Sequence, residues 1–260
     1  MNDAAPPQEV SMTTFKDYFS AQAQNYAKHR PHYPQALFRY LATLTEEHLL
    51  AWDCGTGSGQ AAVALADYYQ HVIATDASAE QIDKATVHKN VDYRVMPAEN
   101  THLLSESIDL ITVATAMHWF NFEEFFAEVR RVLKPQGILA AWCYNLPHIN
   151  PEIDEIIGAH LYKEILGSYW PPERRYIDER FQTIPFPFQP LATPNFFLEN
   201  HWDLAGLINY LATWSASLLY QKQHGHAPMD EIMTELTCAW GDPLTVHAAS
   251  HEIYLLVGRK

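Results

Sequence analysis

The chain has 260 residues, 48% of them hydrophobic, and its 17 Lys and Arg against 31 Asp and Glu give a net charge of −14. That length can bury one large core or a core with a lid. The acidic balance repels phosphate backbones and anionic lipid, so neither nucleic acid nor a membrane is an expected partner. Cys54, Cys143 and Cys238 show no CxxC spacing, which argues against a disulfide framework or a thiolate metal site and suits a reducing cytoplasm. No signal peptide is expected over residues 1–12, which lack a basic and an apolar region, and no metal is expected.

Residues 1–14 read as a tail. Aromatic side chains recur at near-helical spacing over 15–30 and stop at Pro31 and Pro34, predicting a helix, with a second over 35–44. Strand and helix then alternate: strand 49–53, helix 60–69, strand 71–75, helix 79–88, strands 91–95 and 108–114, helix 122–133, a turn at 135–137 and strand 138–144. That rhythm predicts βαβ units around a parallel sheet. It breaks after Asn145. Residues 146–194 hold eight of the sixteen prolines and only one clear helix, 152–166, so they read as a cap. Helices are predicted at 204–220 and 230–240. Two β-like runs, 244–248 and 252–258, meet at the polar pair Ser250-His251, which would fold them into an antiparallel hairpin.

The predicted fold is therefore α/β and doubly wound, a mostly parallel seven-stranded sheet with helices on both faces and a C-terminal helical cap insertion. Its expected organisation is a tail over 1–14, a ligand-binding core with an N-terminal helical lid over 15–145, a cap over 146–242 and a terminal β-hairpin over 243–260.

The segment at 49–60, LLAWDCGTGSGQ, carries most of the chemistry. Gly55, Gly57 and Gly59 lie between a strand and a helix. Alternating glycines let the backbone turn with positive φ and approach a ligand closely, while the following helix presents its amides and dipole to the ligand's polar part. The nicotinamide fingerprint G-x-G-x-x-G fails, because its third glycine falls on Gln60. The pattern is instead D-x-G-x-G-x-G, with Asp53 placed to accept from an ammonium group or a bound water. Asp76, at the end of the next strand, can take both hydroxyls of a ribose.

These residues resemble the class I S-adenosylmethionine-dependent methyltransferases, in order over residues 15–144. Asp53, Gly55, Gly57 and Gly59 match the family's first motif and Asp76 its ribose-binding acid. Pro97-Ala98-Glu99 falls where the family contacts adenine, with Pro97 standing where many members carry Asp. DLITVATAMHWF at 109–120 and RVLKPQG at 131–137 match the fourth-strand motif and the turn before the fifth strand. HWF, TWSA at 213–216 and the spacing of Phe19, Ala23, Tyr26, Arg30, Pro31, Tyr33 and Pro34 are similar to the small-molecule group that includes the trans-aconitate methyltransferases. The resemblance implies S-adenosyl-L-methionine as cofactor, held by Asp53, Gly55, Thr56, Gly57, Gly59, Asp76, Ala77, Ala98, Glu99, Ala114 and Arg30. The acceptor it implies is a carboxylic acid or another small metabolite, methylated preferentially at oxygen, beside Tyr18, Tyr26, Tyr33, His118 and Trp119.

Methyl transfer from a sulfonium needs alignment, exclusion of water and a place for any departing proton, so a dedicated nucleophile is unnecessary. His118 either orients the acceptor or takes its proton, or else packs the next helix. Arg30 either pairs with a carboxylate or ends a helix at the surface, and Trp214 reads as core. Residues 15–34 and the cap are expected to close together over the methyl group. Two other functions share these features: a nicotinamide-dependent oxidoreductase, and a non-catalytic binder of the same cofactor or its product.

Overall fold

The computed structural model describes residues 31–260. The expected helix over 15–30, its lid role, and the site residues Tyr18, Tyr26 and Arg30 lie outside the described residues. Helix α1 (Gln35–Ala42) begins after Pro34 and buries Leu37, Phe38 and Leu41, three residues on one helical face. Strands β1 (Leu50–Cys54), β2 (His71–Asp76), β3 (Val91–Val95) and β4 (Ile108–Ala114) follow, with α2 (Gln60–Leu65) and α3 (Ala79–Asp83) between the first three. Helix α4 (Phe122–Val132) leads into β5 (Leu133–Tyr144).

These five strands are parallel in the order β3-β2-β1-β4-β5, so the winding reverses between β1 and β4. Each central strand is apolar on both sides, as a sheet covered on both faces requires. The alternation sends Trp52, Ile111 and Leu139 to the face covered by α4, and Ala51, Leu110 and Ala140 to the face covered by α1 and α2. Asp109 interrupts β4 at its amino end, where its carboxylate accepts the amides of Leu49 and Leu50 and the Lys134 ammonium. The turn expected at 135–137 exists as an outward loop of β5. Leu133 pairs with Ile108, Ile138 pairs with Leu110, and Gln136 takes a positive φ of 66° between them.

The terminal hairpin does not form. Residues 247–259 are one strand, β8 (His247–Arg259), antiparallel to β5 along one edge and to β7 (Phe196–Trp202) along the other. Ser250 and His251 continue the strand because His251 is fully buried, its Nδ1 on the Asn145 carbonyl at 2.9 Å and its ring enclosed by Tyr144, Trp202 and Tyr210. A polar pair needs no turn where the fold supplies a partner and an aromatic cage. Strand β7 completes the seven-stranded sheet, and a two-residue strand, β6 (Gln189–Pro190), adds an eighth beside β8.

The predicted helix at 152–166 is α5 (Pro151–Glu155), capped by the Asn150 side chain, running into a wider π-helical stretch over Ile156–Ile165. A short α6 (Arg175–Asp178) follows. The continuous helix expected at 204–220 is broken into α7 (Leu204–Ala212) and α8 (Ser215–His224). Trp214 is extended at the break, where the carbonyls of Tyr210 and Leu211 accept the amides of Thr213 and Trp214 and, in addition, the hydroxyls of Thr213 and Ser217. With α9 (Met233–Trp240), these helices bury their own apolar cluster, including Ile157, Leu161, Leu207, Tyr210, Trp214 and Leu236. No helix among the described residues is long and apolar enough to cross a membrane.

Candidate active site

The carboxyl ends of β1, β2, β4 and β5 meet at the reversal of the sheet, where doubly wound folds bind ligands. After β1 the chain turns through Gly55, Gly57 and Gly59, with φ of 69°, 55° and 85°. The protein's own packing demands two of them. A Cβ on Gly55 would lie 2.5 Å from the Ala116 Cβ, and one on Gly59 would lie 2.1 Å from the Tyr93 hydroxyl. Gly57 faces open space, its nearest neighbour being Gln81 Oε1 at 3.9 Å from the position of a Cβ. That oxygen is buried and makes no hydrogen bond among the described residues. An open glycine and an orphaned acceptor at one spot are what a ligand would fill.

Asp53 does not face that space. Its carboxylate is fully buried behind the loop, and its two oxygens accept the hydroxyls of Thr56 at 2.6 Å and Thr112 at 2.7 Å. Asp53 and Thr112 are register partners on β1 and β4, so the sheet sets this contact. Burial pushes the Asp53 carboxyl up to about 6, against the pull of those hydroxyls. In this structure both oxygens of the Asp53 carboxylate are engaged in positioning the loop. Thr56, also expected at the ligand, is buried with its hydroxyl turned to Asp53 and its amide on the Thr75 carbonyl.

Asp76 is half-buried at the end of β2 and organises the loop from the other side. It accepts the Gly57 amide and the Ser78 amide, each at 2.9 Å. The acid expected at the ribose thus stands beside the open glycine. Ala77 is exposed next to it, while Ala98 is buried and Glu99 half-buried beyond β3. Glu99 Oε1 accepts the Asn121 amide at 3.1 Å, which ties this loop to the start of α4.

Across the reversal, β4 ends at the half-buried Ala114, and Thr115 follows with a φ of 55°. A β-branched residue in the left-handed region is strained, at roughly 1–3 kcal/mol. The Thr115 amide donates to the Trp142 carbonyl at 2.8 Å and its hydroxyl meets the Tyr33 hydroxyl at 3.2 Å. Tyr33 stands edge-on to Trp142 and Tyr144, at the end of β5. No local residue pattern announces Thr115, because glycine or asparagine is the usual choice at such a φ.

His118 and Trp119 occupy the short 3-10 turn Met117–Trp119, their rings 4.6 Å apart. His118 is only 5% exposed and its Nδ1 has no hydrogen-bond partner among the described residues. Burial, and then the charge of Arg174, push the imidazole down to about 3, so it is neutral at physiological pH. Over it lies the cap turn Pro172–Arg174. The Arg174 guanidinium stacks 4.7 Å from the Trp170 ring and 5.2 Å from that of Tyr162, and Trp214 packs against both rings. Sequence reasoning missed Arg174 and Tyr162. Arg174 reaches His118 across more than fifty residues of chain, with Tyr162 beneath it, which leaves no spacing signal.

A sheet ordered 3-2-1-4-5 with a glycine loop at its reversal and a carboxylate at the next strand end defines a nucleotide-cofactor enzyme of the doubly wound class. The model of the family described as methyltransferase domain matches residues 52–141. A Dictyostelium discoideum protein described as a methyltransferase is 34% identical over 255 residues, spanning 95% of this chain and 97% of that one. A Saccharomyces cerevisiae protein named as an S-adenosylmethionine-dependent methyltransferase is 27% identical over 60% of this chain and 58% of its own length. The structure of a type II methyltransferase from Anaeromyxobacter dehalogenans matches with a TM-score of 0.82 at 40% identity, covering 88% of this chain and 97% of that chain. The chain belongs to the class I S-adenosylmethionine-dependent methyltransferases, and the nicotinamide alternative falls away.

The cofactor, S-adenosyl-L-methionine, supplies a methyl group activated by a sulfonium. The residues present fit it. The open face of Gly57, the orphaned Gln81 Oε1 and the Asp76 carboxylate provide room, an acceptor and a charge at one place. Behind them the hydrogen bonds of Asp53 to Thr56 and Thr112 hold the loop in shape.

Proposed function

We propose that this enzyme methylates a small-molecule acceptor, preferentially at oxygen, the acceptor being a carboxylic acid or another small metabolite. The observation that carries this reading is the aromatic character of the residues at the sheet's carboxyl edge and in the cap. Tyr33 packs on Tyr144 and Trp119 on His118 at that edge, Tyr162 packs on Trp170 in the cap, and buried His118 Nδ1 has no partner among the described residues. Such a character favours a small organic molecule with a few polar groups. The net charge of −14 works against a phosphate polymer as substrate.

In this reading Asp76 takes the ribose hydroxyls, Gly57 lets the chain approach the cofactor, and Ala77, Ala98, Glu99 and Ala114 contact it. His118 orients the acceptor or receives a proton from it through Nδ1, for which its neutral state is required. Aromatic rings beside the methyl group exclude water and favour the sulfonium charge. Sparse cysteine use, with Cys54 and Cys143 buried as free thiols, supports a cytoplasmic setting.

The test has two arms. S-adenosylhomocysteine should raise the melting temperature by mass action while NAD and NADP do not. A methyl-donor assay over small acids, phenols and amines, and over a nucleic acid and a protein as controls, should give turnover on an acid or phenol. Turnover confined to the polymers would overturn the small-molecule reading.

A further inference from the structure

We propose that Arg174 determines acceptor specificity by anchoring a carboxylate of the acceptor beside His118, under the cap. This inference rests on the small-molecule reading above. The guanidinium is fixed before any ligand arrives. It lies against the packed pair of rings Trp170 and Tyr162, 4.7 and 5.2 Å from their centroids, which are themselves 4.7 Å apart. Its Nε donates to the Tyr162 hydroxyl at 2.8 Å and to Asp178 Oδ1 at 3.3 Å, and the Tyr162 hydroxyl itself donates to that same oxygen at 2.6 Å. This closed triangle uses one edge of the guanidinium. The two η nitrogens make no hydrogen bond among the described residues. A planar pair of η N–H groups held by aromatic faces matches the two oxygens of a carboxylate.

Burial strengthens the case. The Arg174 side chain is 19% exposed, whereas its nominal counter-charge, Asp178, is 43% exposed and shared with Tyr162. The cation is thus largely withdrawn from water and only partly compensated, a state that an incoming anion relieves. The second observation is His118, 5% exposed, on the 3-10 turn against which the Arg174 turn packs, with Nδ1 unpartnered. A buried polar atom left unmatched is costly unless a ligand meets it. Being neutral, His118 adds no second positive charge and leaves the anion to Arg174. A carboxylate on Arg174 would place the rest of a small acceptor beside His118 and Trp119, at the end of β4. A structural pin between cap and core is the competing role for Arg174, and it requires no free η nitrogens.

The test uses the full chain loaded with S-adenosylhomocysteine, titrated with succinate and benzoate and with their neutral counterparts, succinamide and benzamide. Calorimetry gives affinity, and tryptophan fluorescence reports on Trp170 beneath the guanidinium. At least one acid should bind and quench, with its amide about tenfold or more weaker, the factor expected of a charge-assisted pair. Arg174→Gln should remove about tenfold or more of the acid affinity, Arg174→Lys should restore only part of it, and both should keep the wild-type affinity for S-adenosylhomocysteine within about twofold. If Arg174→Gln does not fold, Tyr162→Phe, which removes one of the two acceptors of Nε while keeping the ring, should show an intermediate loss. Absence of acid binding, equal binding of acids and amides, or undiminished acid binding by the variants would overturn the proposal. The titration needs no turnover, so an acceptor panel without activity would count against the small-molecule reading and not against the anchor.

Discussion

The two halves of the active site are built by different means. On the β1–β2 side, the carboxylates that shape the glycine loop act on residues near them in sequence or one strand away: Asp53 with Thr56 and Thr112, Asp76 with Gly57 and Ser78. On the cap side, His118, Tyr162, Trp170, Arg174 and Trp214 come from distant segments and are joined by ring faces and one guanidinium. The first half is polar and shaped to a cofactor common to the family, its two carboxylates engaged by the loop and only Gln81 Oε1 left unmatched beside Gly57. The second is aromatic and keeps unmatched polar atoms, which is how a site adapts to a particular acceptor. Local backbone chemistry makes a fixed receptor, and tertiary assembly makes a variable one.

The sharpest way to break this contrast is within the glycines. Gly59→Ala drives a Cβ into the Tyr93 ring at a φ of 85°, and should destabilise the chain by on the order of 3–5 kcal/mol through overpacking and left-handed strain. Gly57→Ala meets no protein atom closer than 3.9 Å. It should lose only about 1 kcal/mol of stability by denaturant titration while abolishing measurable S-adenosylhomocysteine binding. Equal stability losses in the two variants would mean that Gly57 too is packed, and retained binding in Gly57→Ala would place the cofactor elsewhere.

Asp76→Ala comes next. Loss of a charged acceptor from the ribose site should weaken S-adenosylhomocysteine by about 2–3 kcal/mol, read by calorimetry on a folded variant. Unchanged affinity would confine Asp76 to holding the Gly57 and Ser78 amides.

A pH comparison separates the halves by sign. The folded Asp53 carboxyl titrates near 6, above its unfolded value, so the folded state binds the extra proton. Wild-type stability relative to Asp53→Asn should therefore be greatest at the acid end and fall by about 2–3 kcal/mol between pH 4 and 7. The His118 imidazole titrates near 3, below its unfolded value. Its contribution relative to His118→Gln is present above about pH 6.5 and is lost as pH falls toward 3. Parallel trends in the two differences, measured by urea unfolding across that range, would show that burial of the two groups is not as described.

The smallest effect concerns the seam between the halves. Tyr33→Phe removes the hydroxyl contact to Thr115 at 3.2 Å and should lower stability by about 0.5–1.5 kcal/mol. A loss beyond about 3 kcal/mol would mean that this hydroxyl supports much more than the turn after β4.

The parts legible in the sequence are those governed by period and local chemistry. Alternating strand and helix lengths predicted the parallel sheet, and β4 falls where its apolar run placed it, because a strand buried on both faces must be largely apolar. The glycine loop was legible for a related reason: positive φ and close approach admit few residue types, and the pattern D-x-G-x-G-x-G records both. Strand β7 was not legible, since Glu199, Asn200 and His201 interrupt its apolar residues. Its strand character comes from pairing with β8, a partner nearly fifty residues away. The Ser250-His251 pair misled for the opposite reason. It resembles a turn until Asn145 and three aromatic rings enclose it.

For the site, residue types alone determined where a cofactor belongs and which acid stands at the next strand end. Only the tertiary structure decided that Asp53 faces Thr56 and Thr112 instead of the ligand space, that Thr115 is strained at the seam, and that Arg174 overlies His118. The physical reason is range. A turn's φ, a strand's burial and a helix's first amides are set by residues a few positions apart, so they leave a pattern in the chain. Burial of a carboxylate, orphaning of an imidazole nitrogen and stacking of a guanidinium arise only when segments far apart in sequence shut water out together.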